Sequence, residues 1–155
     1  MTPNSAEILT GKVMQKSVLI TGCSSGIGLE SALELKRQGF WVLAACRKPE
    51  DVARMTGMGL TGILLDLDSP ESIERAADDV IALTDNRLFG LFNNAGYGVY
   101  GPLQTISREQ LEQQFSANFF GIHQLTMRLL PAMLPHGEGR IVMTSSVMGL
   151  ISTPG

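Results

Sequence analysis

Five short apolar runs punctuate the chain, each closed by a glycine or polar turn: SVLIT (17–21), FWVLAA (40–45), GILLD (62–66), LFGLFNN (88–94) and RIVMTS (140–145). None alternates apolar with polar positions, so each reads as a strand buried on both faces. The stretches between them are helical in period. IGLESALELKRQ (27–38) turns Leu29, Ala32, Leu33 and Leu35 toward one side, and Gly39 stops it as a C-cap. A short helix is expected over residues 50–56. Ser69-Pro70-Glu71 starts another, with an N-cap hydroxyl, a proline at the first helical position and an acidic first turn, running to about Thr84. Ser107 and Gln110 make a capping box that opens a long helix to about Leu134, with Pro131 bending or loosening its last turn. Strands and helices in alternation imply an α/β fold, a doubly wound, Rossmann-type parallel sheet covered on both faces. No internal repeat, low-complexity linker or domain boundary interrupts it, so residues 1–155 are expected to form a single domain.

Two departures from this regular pattern carry chemistry. TGCSSGIG, Thr21 to Gly28, lies between the first strand and the first helix, with glycines at 22, 26 and 28. The spacing differs from GxGxxG, and no GKS or GKT follows, so it is not a P-loop. The physics is shared: glycines allow positive φ and close approach of a pyrophosphate, and the helix N-terminus offers N–H groups and a favourable dipole. Ser24 and Ser25 add hydroxyl donors. A glycine-rich turn without a ligand is the plain alternative, which the position directly after the first strand disfavours. In the long helix, Leu111, Phe115, Asn118, Ile122, Leu125 and Leu129 recur at steps of 4, 3, 4, 3 and 4, predicting one buried seam with a single polar member. An unpartnered buried amide costs about 1–3 kcal/mol. Asn118 therefore needs a reason, and a register-fixing or cross-helix hydrogen bond is one.

Composition removes several classes of function. Apolar residues make up 44% and charged residues 17%, a core-rich globular balance. Net charge is −3 and the twelve basic residues are scattered, so neither nucleic acid nor an anionic membrane surface is an expected partner. Cys23 and Cys46 are too few for a disulfide scaffold, lack metal-ligand spacing, and read as small core-facing thiols; no metal site is expected. The N-terminal MTPNSAEILTGKVMQK lacks the pattern of a secretory leader, and no run of about 18 apolar residues occurs. The expectation is a soluble, reduced, cytoplasmic domain.

TGxxxGxG at the first turn, NNAG (Asn93 to Gly96) after the fourth strand, Asn118 in the following long helix and a serine after the fifth strand together resemble the short-chain dehydrogenase/reductase family. The order and the elements agree from Lys16 onward. The resemblance implies cofactor contacts from Gly22, Ser24, Ser25, Gly26, Ile27 and Gly28. Where NAD-binding Rossmann domains carry an acid for the ribose 2′-OH stands Cys46, followed by Arg47 and Lys48. A guanidinium pairs a 2′-phosphate bidentately, so NADP(H) is expected over NAD(H), which remains the alternative. Arg47 and Lys48 read equally as solvated loop charges, and Glu50 and Asp51 would offset part of the field. By resemblance Asp66 accepts from the adenine amino group beside the Leu67 backbone; capping the following loop is as good a reading. Asn93 would tie strands together, while Ala95 and Gly96 let the ribose pass, though a plain turn would look similar. Asn118, in NFFG, would help hold a water connected to the family's catalytic lysine.

The same resemblance assigns Ser146, preceded by Ser145, to orienting the oxygen of a small carbonyl or alcohol substrate while a tyrosine acts as general acid or base. A strand-end hydroxyl bonded to local backbone is the bland reading. An unperturbed phenol has a pKa near 10, so the family sets a lysine four residues beyond its tyrosine. No Y-x-x-x-K occurs here: the only tyrosines are Tyr97 and Tyr100, and the last lysine is Lys48. The expected function is a short-chain oxidoreductase whose N-terminal portion this is, cut short after the fifth strand, leaving that strand an apolar edge. In the family the missing helix packs beside the Leu111–Leu129 helix, often at a dimer interface, so the full-length form is expected to be a homo-oligomer. The alternatives are a non-catalytic nucleotide-binding remnant or regulatory module, and a half that docks on another chain. A polypeptide of these 155 residues is expected to bind NADPH weakly and to show no NADPH-dependent carbonyl reduction, followed as loss of NADPH absorbance; turnover would overturn the role given to the absent pair.

Overall fold

The computed structural model describes residues 15–151. The leader expectation rests mainly on residues 1–14, which lie outside the described residues, as do 152–155. Five strands, β1 (Ser17–Thr21), β2 (Trp41–Cys46), β3 (Thr61–Leu64), β4 (Leu88–Asn93) and β5 (Arg140–Met143), form one parallel sheet in the order β3-β2-β1-β4-β5. Every residue of β1 is buried, and successive side chains enter opposite layers because strand side chains alternate. Val18 and Ile20 join Val42, Ala44 and Met55 on one face, whereas Leu19 joins Leu43, Ile63, Leu91, Leu125 and Leu129 on the other. The near-continuous apolar runs thus reflect a sheet with helices on both sides.

Helices α1 (Gly26–Arg37) and α2 (Pro49–Gly57) share a layer with Ile20, to which they contribute Ala32 and Met55. On the opposite face lie α3 (Pro70–Leu83), with Ile73, Ala76, Ala77 and Val80, and α5 (Ile122–Met133), with Leu125 and Leu129. The expected starts and stops are present: Ser69 Oγ accepts from Ser72 N at 3.1 Å, and Gly39 takes φ +88 just past α1. The expected short helix is fuller, because Pro49 initiates it and Met55 anchors it in the core. The third strand stops at Leu64, so Asp66 stands two residues beyond it rather than closing it.

The long helix departs from expectation. Its capping box forms, with Gln110 N donating to Ser107 Oγ at 3.3 Å and Ser107 N donating to Gln110 Oε1 at 2.8 Å. However, α4 (Arg108–Phe115) passes into a π-helical turn, Ser116–Gly121, before α5 begins. The wider turn rotates the face presented to the sheet. The continuous seam is therefore corrected: Leu111 and Phe115 are 43% and 56% exposed, and Asn118 is half-buried. The buried line is Ala117, Gly121, Leu125 and Leu129. Gly121 is required there, since a Cβ at that position would lie 2.2 Å from the Leu67 carbonyl oxygen, a backbone atom that cannot turn aside. Pro131 is tolerated inside α5, which ends two residues later and gives way to a 3₁₀ turn, Leu134–His136. Among the described residues β5 stands at the edge of the sheet, with Ile141, Val142 and Met143 exposed.

Gly121→Ala should force α5 away from the loop after β3 and cost about 1–3 kcal/mol, the usual range for overpacking. The check is a urea midpoint that falls while the m-value holds.

Candidate functional site

The C-terminal ends of β1 and β4 meet where the order of the sheet reverses, and a polar latch closes them together. Thr21 Oγ1 accepts from Asn94 N at 3.0 Å and from Ala95 N at 2.9 Å. In return Asn94 Nδ2 donates to the Thr21 carbonyl at 3.0 Å. The hydroxyl of Thr144, just past β5, donates to Asn94 Oδ1 at 3.3 Å, so three neighbouring strands are joined through one asparagine. Asn93, expected to tie strands, is buried and donates to Thr126 Oγ1 at 3.1 Å and towards Met143 Sδ at 3.2 Å, linking β4 to α5 and β5. Asn94 and Thr21 were not singled out from the sequence. The signal was available, since both are the polar members of motifs read mainly for their glycines.

The loop from Gly22 to Gly28 is held open toward that latch. Gly22 adopts φ +72, a left-handed conformation that side chains disfavour. Gly28 packs so tightly that an added Cβ would lie 2.3 Å from the Gly22 carbonyl oxygen. The first turn of α1 is electrostatically unlike those of α2, α3 and α4. Those three carry Glu50 and Asp51, Glu71 and Glu109, respectively, in their first turns, and the N-cap serines of α3 and α4 accept backbone hydrogen bonds. Ser25, the N-cap of α1, makes no side-chain cap, and no acid stands in the turn that follows. Its leading N–H groups are thus left for an anion that approaches from outside.

A cleft of about 780 Å³ runs from this loop past the end of β2 to the loops after β3 and β4. Of the expected cofactor residues, Gly22, Ser24, Ser25, Arg47, Asp66, Leu67, Ala95 and Gly96 line it together. Gly26, Ile27 and Gly28 form the start of α1 beside it, and Ile27 is exposed. Lys48 is the exposed N-cap residue of α2, and Asn93 sits beneath, in the core. Asp66 Oδ1 accepts from Asp68 N at 3.0 Å, as the loop-capping alternative had it, and the residue also lines the cleft. These residues fit a dinucleotide: an uncapped helix end for the pyrophosphate, backbone without Cβ for close approach, and a cation at the ribose end.

Asn118 is fully partnered across the cleft wall. Its Nδ2 donates to the Tyr97 carbonyl at 2.6 Å and its Oδ1 accepts from Tyr97 N at 3.1 Å. One turn earlier Gln114 Oε1 accepts from Val99 N at 2.7 Å, so two amides of one helix fix the loop after NNAG. Tyr97 itself lines the cleft and is 42% exposed. Partial desolvation, then the Asp68 carboxylate, push its hydroxyl above the ordinary phenol range, with Arg47 opposing. Ser146 lies three residues past β5, on the edge shared with NNAG because Asn93 pairs with Met143. Its Oγ accepts from Met148 N at 3.1 Å, opening the 3₁₀ turn Val147–Gly149. It is exposed and does not line the cleft.

A family model described as short chain dehydrogenase matches residues 16–155. "Uncharacterized oxidoreductase YbbO" of Escherichia coli (strain K12) is 84% identical over 155 residues, covering 100% of this chain and 58% of that protein. Human "Retinol dehydrogenase 5" is 38% identical over 143 residues, covering 89% of this chain and 45% of that protein. The chain thus spans about half the length of these curated relatives. Among solved structures, a short-chain dehydrogenase from Streptomyces avermitilis superposes with a TM-score of 0.85 at 32% identity, over 93% of this chain and 54% of that one. An actinorhodin polyketide ketoreductase with NADPH superposes at 0.82 with 29% identity, over 90% of this chain and 56% of that one.

Both thiols flank the cleft from inside the core. Burial pushes Cys23 from 9.0 up to about 12, with Cys46 adding and the Ala45 backbone contact opposing. Burial also raises Cys46, with Asp51 adding and Arg54 opposing. A folded-state pKa above the unfolded one gives stability that is complete below about 9 and lost as the pH rises toward 12. Stability should therefore fall across that alkaline window, and fall less steeply in Cys23→Ala; urea melts at stepped pH check this, and identical slopes would refute it.

Proposed function

The chain belongs to the short-chain dehydrogenase family, and on that premise we propose that it is the cofactor-binding portion of an NADP(H)-preferring oxidoreductase acting on a small carbonyl or alcohol. The observation that carries the reading is the uncapped, acid-free N-terminus of α1 beside a cleft that Arg47 also lines. NADP(H) bound there supplies or accepts the hydride. Gly22, Ser24, Ser25, Gly26, Ile27 and Gly28 hold the pyrophosphate, chiefly through backbone N–H groups. Arg47 and Lys48 neutralise the 2′-phosphate, while Asp66, Leu67, Ala95 and Gly96 seat the adenosine. NAD(H) would fit the same cleft but would leave those two cations without a counter-charge. The ketoreductase solved with NADPH, at 29% identity, supports the preference.

In this reading Ser146 orients the substrate oxygen. Its Oγ already accepts one hydrogen bond, so its O–H is free to donate to a carbonyl. Asn118 acts through the backbone it holds at Tyr97 and is a positioning residue for that wall. Proton transfer is assigned to a tyrosine–lysine pair outside these 155 residues. No helix among the described residues is long and apolar enough to cross a membrane; free Cys23 and Cys46 support a cytoplasmic setting.

In the complete gene product, Arg47→Asp should weaken NADPH binding by about tenfold or more, the scale of losing a charge-assisted pair and adding repulsion, while NADH changes little. Fluorescence titration with each nucleotide checks this, and equal loss for both would sink the preference. NADPH binding without reduction of any carbonyl panel would favour the non-catalytic module.

A further inference from the structure

Arg54 belongs to none of the sequence motifs, yet it reaches the phosphate loop. It lies on the second turn of α2, and its Nη2 donates to the Ser24 carbonyl at 2.5 Å and to Asp51 Oδ1 at 2.8 Å. Ser24 lines the cleft, as do Cys46 and Arg47 at the end of β2. Asp51 and Arg54 both act on the Cys46 thiol, the first raising and the second lowering its pKa, behind the larger effect of burial. The two charges therefore stand behind the position where a Rossmann domain chooses its nucleotide.

The pairing settles a question of sign. Asp51 would oppose a 2′-phosphate if it stood alone, but its carboxylate is engaged by Arg54 and is only 24% exposed. Arg54 is 41% exposed, and a guanidinium carries five N–H donors. Both bonds use Nη2, which leaves Nε and Nη1 without a protein partner among the described residues.

We propose that Arg54 is a second specificity-determining cation of the cofactor site: pinned to the Ser24 carbonyl and aligned by Asp51, it joins Arg47 in a two-arginine clamp on the 2′-phosphate. This rests on the NADP(H) reading above. The clamp ties nucleotide choice to the shape of the phosphate loop, because the same guanidinium holds both. A fork at this place also separates arginine from lysine, since an ammonium on a shorter reach cannot hold Ser24, Asp51 and a phosphate in one plane.

The test uses the complete gene product and dissociation constants for NADPH and NADH by fluorescence titration. Arg54→Gln should weaken NADPH about tenfold, as expected for one charge-assisted contact, and NADH less than twofold. Arg54→Lys, which keeps the charge and loses the fork, should weaken NADPH several-fold and leave NADH unchanged; it also decides the matter if Arg54→Gln does not fold. Equal loss for both nucleotides would mean that Arg54 is only a strut for the loop, and no loss for either would remove it from the site; each overturns the proposal. Wild type binding NADH as tightly as NADPH would overturn the NADP(H) reading itself, a failure distinct from the other two.

Discussion

The site depends on the hydroxyl of Thr21. A parallel sheet with helices on both faces must somewhere reverse the direction in which its crossovers run, and here that happens between β1 and β4. The two strands part company at their C-terminal ends, and their backbones lose ladder partners there. Thr21 Oγ1 and the Asn94 amide restore those partners. The crevice stays open to a ligand without orphaned backbone N–H groups in its floor. Gly22 can then turn away into the phosphate loop, and Ala95 and Gly96 can pass beneath the cleft.

Around that floor the charges are sorted by what each helix end must do. α2, α3 and α4 satisfy their own N-termini with acids or serine caps, as helices that bind nothing there commonly do. α1 alone of these four leaves its dipole unanswered, and it is the one whose N-terminus opens on the cleft. In the first turn of α2 Asp51 is matched by Arg54, which removes one of that turn's two carboxylate charges from the field beside Arg47.

The fold was legible because it rests on local signals. Apolar runs without alternation, the Ser69 and Ser107 caps and Gly39 marked elements to within a residue or two. The glycine-rich loop after β1 was legible for the same reason: positive φ and close backbone approach demand glycine at fixed places. What escaped was long-range. Leu111 and Phe115 kept the apolar period of a buried seam, but the π-turn over Ser116–Gly121 rotated them outward, and nothing in local propensity announces a π-turn. Asn94 and Arg54 escaped because their partners lie 73 and 30 residues away in the chain. Spacing arguments see a helix face; they do not see which loop a side chain will meet.

The π-turn gives the misread asparagine its meaning. A regular helix with Asn118 in the seam would have buried the amide against the sheet, where each polar atom needs a partner in the core. The wider turn instead carries Asn118 to the loop after NNAG, where both amide atoms engage the Tyr97 backbone, and Gln114 adds Val99. The loop is thereby fixed by its main chain, which frees the Tyr97 side chain from any structural duty. Desolvation and Asp68 hold its hydroxyl proton more tightly than in a free phenol, with Arg47 opposing. The helix thus spends its two amides on the main chain of the loop beside the cleft and leaves the sheet to the apolar line Ala117, Gly121, Leu125 and Leu129.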